Sequence, residues 1–407
     1  MSNGNLLNTL QLIRHAGRIT RREIAQELDL GFSMISRLTG ELLERGLIRE
    51  VGRSEAESGR PSDLLALNPT SGYAIGLDIS GTHQRAVLVD LCGEVVNTFE
   101  ENIHFLADRD NILSTLENLT TRTIESCGLQ PCAILGVGVG VWGSVDPAAG
   151  VVYSWTETPA LTSTWKDYAV RDALRAHTSY PHVMVDDIAR TLGIAEVLYG
   201  HNAGQDEDFV FALADTGVGV AFLLGGTPYV GPNQLAGEIG HVPIPGVTLP
   251  CNCGNIGCLE TVASVTGILR RAEQRLTETA IPSVLRDVPE LTIQGMIAAA
   301  DDSDKLAYQL MTEAGEALGT GLAMTVNLLG PKLVVVGGIL AKSGVYLDAA
   351  RRSMKLQVLS KAANTVRVEP SQLDEYAGAR GAAAQVLNVL FVPGEANILA
   401  LSKRNVK

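Results

Sequence analysis

The chain has 407 residues, of which 46% are hydrophobic, and a formal net charge of −13. This length exceeds one ordinary domain, and the apolar fraction suffices for a large buried core. No uninterrupted apolar run reaches the roughly 18 residues that a membrane-spanning helix needs, and the N-terminus lacks the basic start and long apolar core of a signal peptide. We therefore expect a cytoplasmic protein that makes no membrane contact.

The charge is unevenly distributed along the chain. Residues 1–70 contain 9 Arg, no Lys and 9 acidic residues, so the other 23 basic and 36 acidic residues carry the whole −13. The overall charge by itself argues against binding to nucleic acid. An Arg-only basic set on a neutral segment, however, is compatible with a DNA-reading head on an acidic body.

The head shows the apolar spacing of short helices. Residues 6–13 predict an amphipathic helix. Thr20 and Glu23 have the spacing of a capping box and predict the start of a second helix. A turn at residues 29–31 then leads into a third helix that ends near Gly46. Two short helices around a Gly-containing turn predict a helix-turn-helix.

The last of these helices carries the candidate DNA-binding side chains near its N-terminal end, off the apolar face: Ser33, Met34, Ser36 and Arg37. A recognition helix presents side chains to base edges from this position. Residues 47–67 predict a two-stranded wing with Arg60 at its tip, where Arg suits a narrow minor groove. Residues 1–70 thus predict a winged helix-turn-helix domain, with a helical dimerisation bundle as the alternative.

From residue 73 the pattern becomes α/β. Apolar strands flank small-residue turns in 74–90 and again in 210–224, and residues 332–338 add a strand that runs into two glycines. The candidate phosphate-loop residues are Asp78, Gly81, Thr82, Thr216 and Gly217. Such turns suit phosphate groups through backbone N–H groups and a hydroxyl, although ordinary hairpins fit them equally well. The recurrence predicts two lobes of similar design.

One imidazole and three thiols cluster within a short span: His241, Cys251, Cys253 and Cys258. Three cysteines and a histidine complete a tetrahedral shell for structural Zn²⁺. The same stretch holds Glu238 and Glu260, so it predicts a ligand site beside the metal. The remaining cysteines, Cys92, Cys127 and Cys132, lie in or near apolar segments and are predicted to be ordinary buried thiols.

These motifs together resemble the ROK family (repressors, open reading frames and sugar kinases), in its branch of N-acetylglucosamine-, xylose- and glucose-responsive repressors. The resemblance covers nearly the whole chain. It implies an α/β fold of two actin-like lobes with a sugar cleft between them, in which the second lobe carries a zinc-stapled loop and the oligomerisation surface. The implied lobes are residues 71–186, completed by a last helix at about 378–391, and residues 187–377, with a tail at 392–407. The resemblance also implies that His241, Cys251, Cys253 and Cys258 bind zinc.

The family's sugar-contacting positions match Glu238, His241 and Glu260. Its catalytic segment falls on Asp186 and Asp187, and these two residues complete the five that are predicted to bind the sugar. The resemblance leaves two alignments of that segment open. One places Asp187 at the position of the catalytic base. The other, counted back from Glu196, places Asp187 at an Asn position and a non-ionisable Ile188 at the base.

Several parts that the family's kinases need are altered. Ser80 and His83 replace a glycine and a lysine of the first phosphate loop, and Asp215 replaces a glycine of the second. An added negative charge beside a triphosphate is unfavourable. Trp142 and the Pro-Ala-Leu at residues 159–161 also depart from the family pattern, so an altered sugar pocket is expected.

The sequence therefore predicts a sugar-responsive transcriptional regulator, most simply a repressor, that is not an enzyme. Its expected partners are a double-stranded DNA operator and a sugar or sugar derivative, and it is expected to form a homodimer or homotetramer. The alternative is an ATP-dependent sugar kinase with a regulatory DNA-binding head. A scaffold controlled by a protein partner is a third possibility that the residues leave open.

Overall fold

The structure is a computed structural model that describes residues 3–54, 61–80, 83–102, 109–154, 166–178, 180–200, 208–393 and 397–399. Within these ranges, no helix combines the length and the apolar character that crossing a membrane requires. The predicted residues Arg60, Gly81 and Thr82, and the segment 159–161, lie outside the described ranges.

The head consists of three helices and a small antiparallel sheet of order β1-β3-β2. Its elements are α1 (Asn3–Ala16), β1 (Ile19–Thr20), α2 (Arg21–Glu27), α3 (Phe32–Glu44), β2 (Ile48–Arg53) and β3 (Asp63–Leu67). The predicted capping box is confirmed, because the Thr20 hydroxyl accepts from the N–H of Glu23 while the Glu23 carboxylate accepts from the N–H of Thr20. Asp29 has a φ of 50°, which makes the tight turn between α2 and α3.

The first lobe is built on a five-stranded sheet of order β10-β7-β4-β5-β6. Its elements are β4 (Tyr73–Ser80), β5 (His83–Asp90), β6 (Val95–Asn102), α4 (Arg109–Ser126), β7 (Ile134–Val141), β8 (Ser144–Asp146), β9 (Val151–Ser154), α5 (Val170–His177) and β10 (His182–Asp187). Strands β4, β5 and β6 form an antiparallel meander, whereas β7 pairs with β4, and β10 with β7, in parallel.

The second lobe repeats this plan with a sheet of order β13-β12-β11-β14-β15. Its strands are β11 (Phe209–Ala214), β12 (Val218–Leu224), β13 (Thr227–Pro228), β14 (Leu333–Gly337) and β15 (Arg367–Pro370). Its helices, preceded by the connecting helix α6 (Ile188–Tyr199), are α7 (Glu260–Ala263), α8 (Val265–Glu278), α9 (Ile293–Asp301), α10 (Lys305–Leu329), α11 (Gly344–Gln357) and α12 (Ser360–Thr365). Antiparallel strands again occupy one side of the sheet and parallel strands the other. The predicted duplication of lobe design is confirmed.

The last helix, α13 (Ala377–Leu390), returns to the sheet of the first lobe. Glycines allow it to approach unusually closely. A Cβ on Gly76 would lie 1.7 Å from the carbonyl oxygen of Ala379, and one on Gly138 would lie 2.0 Å from that of Ala382. No side chain fits at either contact, so α13 is fixed against β4 and β7.

The prediction of three ordinary buried thiols outside the zinc segment is wrong for two of them. Cys92 and Cys132 are exposed, and Cys127 is half-buried. Cys92 lies in the turn after β5 and Cys132 in a short 3-10 turn before β7. Apolar neighbours in the sequence belong to the adjacent strands, whereas turn residues themselves remain at the surface.

Candidate ligand cleft and metal centre

The four predicted metal ligands converge. The ligand atoms of His241, Cys251, Cys253 and Cys258 all lie within 4.8 Å of one another. The Sγ atoms of Cys253 and Cys258 are 3.7 Å apart, as are the Sγ of Cys251 and the Nδ1 of His241. The distance between the two Sγ atoms is too long for a disulfide. Both distances match the edge of about 3.8 Å of a tetrahedron with Zn–S bonds of about 2.3 Å. The donor set and its spacing therefore fit Zn²⁺.

The backbone of the segment brings these ligands together. The N–H of Cys251 donates to the carbonyl of Asn255, and the N–H of Gly257 donates to that of Leu249. Gly257 has a φ of +81°, and a Cβ there would lie 2.5 Å from the carbonyl oxygen of Val247. The turn between Cys253 and Cys258 therefore requires glycine at this position.

A pocket lies between the two lobes, beside the metal cluster. The first lobe and the start of α6 contribute Trp142, Gly143, Ser144, Asp187, Ala189 and Arg190, and the second lobe contributes Val218, Gly219, Val220, Ala236, Gly237, Glu238, His241 and Glu260. The structure thus brings together four of the five predicted sugar-contacting residues. Carboxylates, an imidazole and a guanidinium around one cavity suit a ligand with several hydroxyl groups.

The two ring nitrogens of His241 face different partners. Nδ1 faces the metal cluster, whereas Nε2 lies 3.8 Å from Oε2 of Glu238. A metal on Nδ1 leaves Nε2 protonated, so that this nitrogen is a hydrogen-bond donor toward the pocket. The histidine therefore links the geometry of the metal cluster to that of the ligand pocket.

The two glutamates of the pocket have independent anchors. Glu260 begins α7 and accepts from the N–H of Val218 at 3.2 Å. Burial raises the pKa of Glu260, while the His241 ring and the Val218 N–H act in the opposite direction. Glu238 precedes a 3-10 turn that is attached to β12 through the N–H of Val220 and the carbonyl of Gly237, 3.0 Å apart.

Asp187 ends β10 and caps α6, where its Oδ1 accepts from the N–H groups of Ala189 and Arg190. Burial raises the pKa of the Asp187 carboxyl to about 7; the charge of Arg190 opposes this shift, and Glu238 adds to it. Ile188 is in the core, with 1% of its surface exposed. Of the two alignments of this segment, the geometry favours the one that places Asp187 at the reactive position.

Asp186 does not reach the pocket. Its carboxylate is 4% exposed and accepts from Nε of Arg190 at 2.6 Å and from Nε2 of Gln385 on α13. Successive residues of a strand point to opposite faces, so Asp186 and Asp187 are directed apart. Arg190 was not singled out in the sequence, although its position one turn after Asp187 on a helix places it beside the same pocket.

The candidate phosphate turns lie elsewhere in the cleft. Thr216 and Gly217 line a second cavity with Trp142 and Cys251. Asp215, just before them, bridges two turns, because Oδ1 accepts from the N–H of Thr216 and Oδ2 from that of Ile339, each at 2.8 Å. The N–H of Ile339, which follows the predicted strand and its two glycines at residues 332–338, is thereby already bonded to a carboxylate of the chain itself. Asp78 is buried in the first lobe, with Gly378 of α13 against its carboxylate.

The predicted DNA-contacting side chains lie together at the start of α3. Ser33, Ser36 and Arg37 are exposed, and Met34 is half-buried with its sulfur 3.1 Å from Nη2 of Arg37. Phe32, which sequence reasoning missed, is 59% exposed on the same first turn. An exposed aromatic ring at this position could have been suspected from its place just before the predicted recognition residues.

Comparison with known proteins gives consistent matches. The model of the ROK family matches residues 74–389. The chain is 27% identical over 389 residues to a xylose repressor of Caldicellulosiruptor bescii, which covers 94% of this chain and 95% of that protein. It is 30% identical over 314 residues to a glucokinase of Halalkalibacterium halodurans, which covers 76% of this chain and 93% of that protein.

Among solved structures, the chain is similar to a ROK family transcriptional regulator described as a homolog of the Escherichia coli MLC protein. The TM-score is 0.82 at 26% identity, with 99% of this chain and 100% of that chain covered. The matches to a repressor and a regulator therefore span the chain almost end to end, whereas the match to the glucokinase spans about three quarters of it.

Proposed function

Because the chain belongs to the ROK family, we propose that it is a sugar-responsive DNA-binding transcriptional regulator, acting as a repressor and without kinase activity. The observation that carries this proposal is the combination of an exposed recognition helix with a cleft that gathers Asp187, Glu238, His241 and Glu260. End-to-end similarity to a xylose repressor and to a transcriptional regulator supports it.

The effector is a sugar or sugar derivative. The carboxylates of Glu238 and Glu260 accept from vicinal hydroxyl groups, and the N–H at Nε2 of His241 donates to a sugar oxygen. His241, Cys251, Cys253 and Cys258 hold a structural Zn²⁺. When bound, this ion supplies a fixed orientation of the imidazole and no chemistry on the sugar.

The head acts as a winged helix-turn-helix. Ser33, Ser36 and Arg37 contact base edges in the major groove, with Met34 and the exposed ring of Phe32 available for apolar contacts such as thymine methyl groups. Arg60 at the wing is proposed for the minor groove from the sequence alone. Two heads of a homodimer, or of a pair within a homotetramer, would bind half-sites spaced by whole turns of the duplex. Such a protein works in the cytoplasm.

One observation favours the alternative of an active sugar kinase. Asp187 lines the pocket, and its pKa of about 7 suits a general base. The position of Asp215 opposes this alternative, because its carboxylate occupies the amide of Ile339 and adds negative charge where a triphosphate would lie. A coupled ADP-release assay across pentoses, hexoses and amino sugars decides between the two, since steady turnover would establish the kinase.

The proposal is tested with an operator selected from genomic DNA fragments and mapped by footprinting. Fluorescence anisotropy then measures operator affinity with and without each sugar of a panel. We expect Arg37→Ala to weaken operator binding by about 5- to 150-fold, the effect of losing one base contact of about 1–3 kcal/mol. Arg175→Ala, which removes an exposed arginine of α5, should leave the affinity unchanged.

The sugar arm of the experiment uses a second pair of variants. Glu238→Ala should bind the operator like the wild type and fail to release it when sugar is added. Glu273→Ala, which removes an exposed carboxylate of α8 on the same lobe, should respond normally. Operator binding that no sugar of the panel changes would refute the proposed function.

A further inference from the structure

Helix α13 lies between the ligand cleft and the head. Its 14 residues span about 21 Å. One of its side chains, Gln385, takes part in the buried polar network under the pocket, while Asn388 and the following Phe391 contact the head. This helix is therefore in contact with both places that a sugar-responsive regulator must connect.

The cleft side of this connection is a buried network. Nε2 of Gln385 donates to Oδ2 of Asp186, whose Oδ1 accepts from Nε of Arg190 at 2.6 Å and from the N–H of Asp187 at 2.8 Å. Arg190 and Asp187 both line the pocket. The side chain of Arg190 is only 3% exposed, so its position depends on Asp186. A ligand that moves either pocket residue must also disturb the contact with Gln385.

The head side of the connection combines hydrogen bonds and apolar packing. Nη2 of Arg14 donates to Oδ1 of Asn388 at 2.9 Å, and its guanidinium lies 4.5 Å from the ring centroid of Phe391. Nε2 of Gln11 donates to the carbonyl of Phe391 at 2.7 Å. Leucines and isoleucines of α1 and α3 share one core with Val386, Leu387 and Leu390 of α13. The head is thus packed directly on this helix.

The tail adds a second attachment. Ile398 and Leu399 are 1% and 2% exposed, and Nη1 of Arg45 donates to the carbonyl of Leu399 at 2.9 Å. The segment after α13 therefore lies against the end of α3, the helix proposed to read DNA. The sequence assigned no structure to this tail.

Helix α13 is packed so closely against α6 that the two helices cannot move independently. A Cβ on Gly381 would lie 1.8 Å from the carbonyl oxygen of Thr191 on α6, the helix that carries Arg190. Interfaces packed this closely shift between discrete arrangements and do not deform continuously. A displacement of α6 is therefore passed to α13 as a whole.

We infer that Gln385 is a positioning residue for the effector response, because it ties Asp186, the buried partner of the pocket residue Arg190, to the helix on which the DNA-binding head is packed. This inference rests on the proposed function and specifies how the pocket acts on the head. Gln385 is not among the residues that line the pocket, and it lies on α13, outside the head. It acts through Asp186 on one side and through α13 on the other.

The test compares Gln385→Leu with the wild type in three measurements: sugar affinity by calorimetry, operator affinity without sugar, and the factor by which sugar weakens operator binding. The probe is whichever of D-xylose, D-glucose and N-acetyl-D-glucosamine raises the melting temperature of the wild type most. Coupled sites typically change affinity by about 5- to 150-fold. We expect this factor to fall toward 1 in Gln385→Leu, while operator affinity without sugar stays within about threefold of the wild type.

Gln274→Leu, on an exposed face of α8, is the matched control and should keep the wild-type factor. A release factor in Gln385→Leu equal to that of the wild type would overturn the inference. The inference would also be overturned if Gln385→Leu were less stable and bound both sugar and operator more weakly, yet kept the wild-type release factor. A merely structural contact would give that result. If Gln385→Leu does not fold, Asn388→Ala, which removes the exposed acceptor of Arg14, is judged by the same outcomes. A wild type without any sugar response would instead refute the proposed function.

Discussion

Replacing Cys253 with serine isolates the contribution of the metal to ligand binding. Cys253 is the exposed member of the cluster, so Cys253→Ser removes a thiolate without placing a hydroxyl group in the core. Cys251 and Cys258 are buried, and serine at either position would bury a hydroxyl group there. We expect bound zinc to fall from about one per chain to well below one, because three ligands remain of a four-ligand structural shell.

The size of the effect on sugar affinity follows from how each pocket residue is held. Glu260 keeps its bond from the N–H of Val218, and Glu238 keeps its attachment through the Gly237 carbonyl and the Val220 N–H. Only His241 loses the partner of its Nδ1, and with it the fixed ring orientation. One hydrogen bond between neutral groups contributes about 0.5–1.5 kcal/mol. We therefore expect the sugar Kd to rise by about 2- to 13-fold without binding being abolished.

The assay combines metal analysis, calorimetry with the sugar that stabilises the wild type most, and operator affinity in the absence of sugar. Cys132→Ser, which removes an exposed thiol outside the cluster, should match the wild type in all three. Operator affinity without sugar should stay unchanged in Cys253→Ser, because the head lies outside the second lobe. A variant that loses zinc yet binds sugar as tightly as the wild type would refute the proposed link through His241. Unchanged zinc content would refute the ligand set itself.

Two further predictions concern the cleft. Burial holds the pKa of Asp187 at about 7, whereas an unfolded chain releases this proton near pH 4, so wild-type stability should fall as pH rises from about 4 to 7. Melting temperatures between pH 5 and 8 should fall less in Asp187→Asn than in the exposed control Asp302→Asn, and equal slopes would contradict this. Gly240→Ala places a Cβ 2.2 Å from the carbonyl oxygen of Val218, whereas Gly344→Ala meets nothing within 4 Å. A thermal-shift comparison should find only the former destabilised, by about 1–3 kcal/mol, together with weaker sugar binding; a Gly240→Ala protein as stable as the control would show that the turn can relax.

Local chemistry made several features predictable from the sequence. The four residues of the His/Cys cluster lie within 18 residues of one another, and metal geometry restricts which residue types occur at such spacing. The capping box at Thr20 and Glu23 is equally local, since both of its hydrogen bonds join residues three apart. The duplicated strand order of the two lobes was visible as a repeated pattern of strand, turn and strand.

Which of the two adjacent aspartates faces the pocket could not be predicted in the same way. Asp186 and Asp187 are chemically identical and are the last two residues of the same strand. Their surroundings differ only because α13, some 200 residues later, places Gln385 beside Asp186, while the second lobe places Glu238 near Asp187. Arg190 likewise acquires its two partners, Asp186 and the carbonyl of Val145, only in the folded chain.

The sequence by itself thus determined the His/Cys cluster, the capping box that starts α2 and the doubled α/β plan, because each depends on residues close together in the chain. The tertiary structure alone decided which carboxylates face the cleft, that Asp215 occupies the amide of Ile339, and that the head rests on α13 and the tail. The contact of Asp215 with Ile339 and those of the head with α13 and the tail join residues more than 100 positions apart. No local pattern records them, because the packing of whole elements decides which side chains meet.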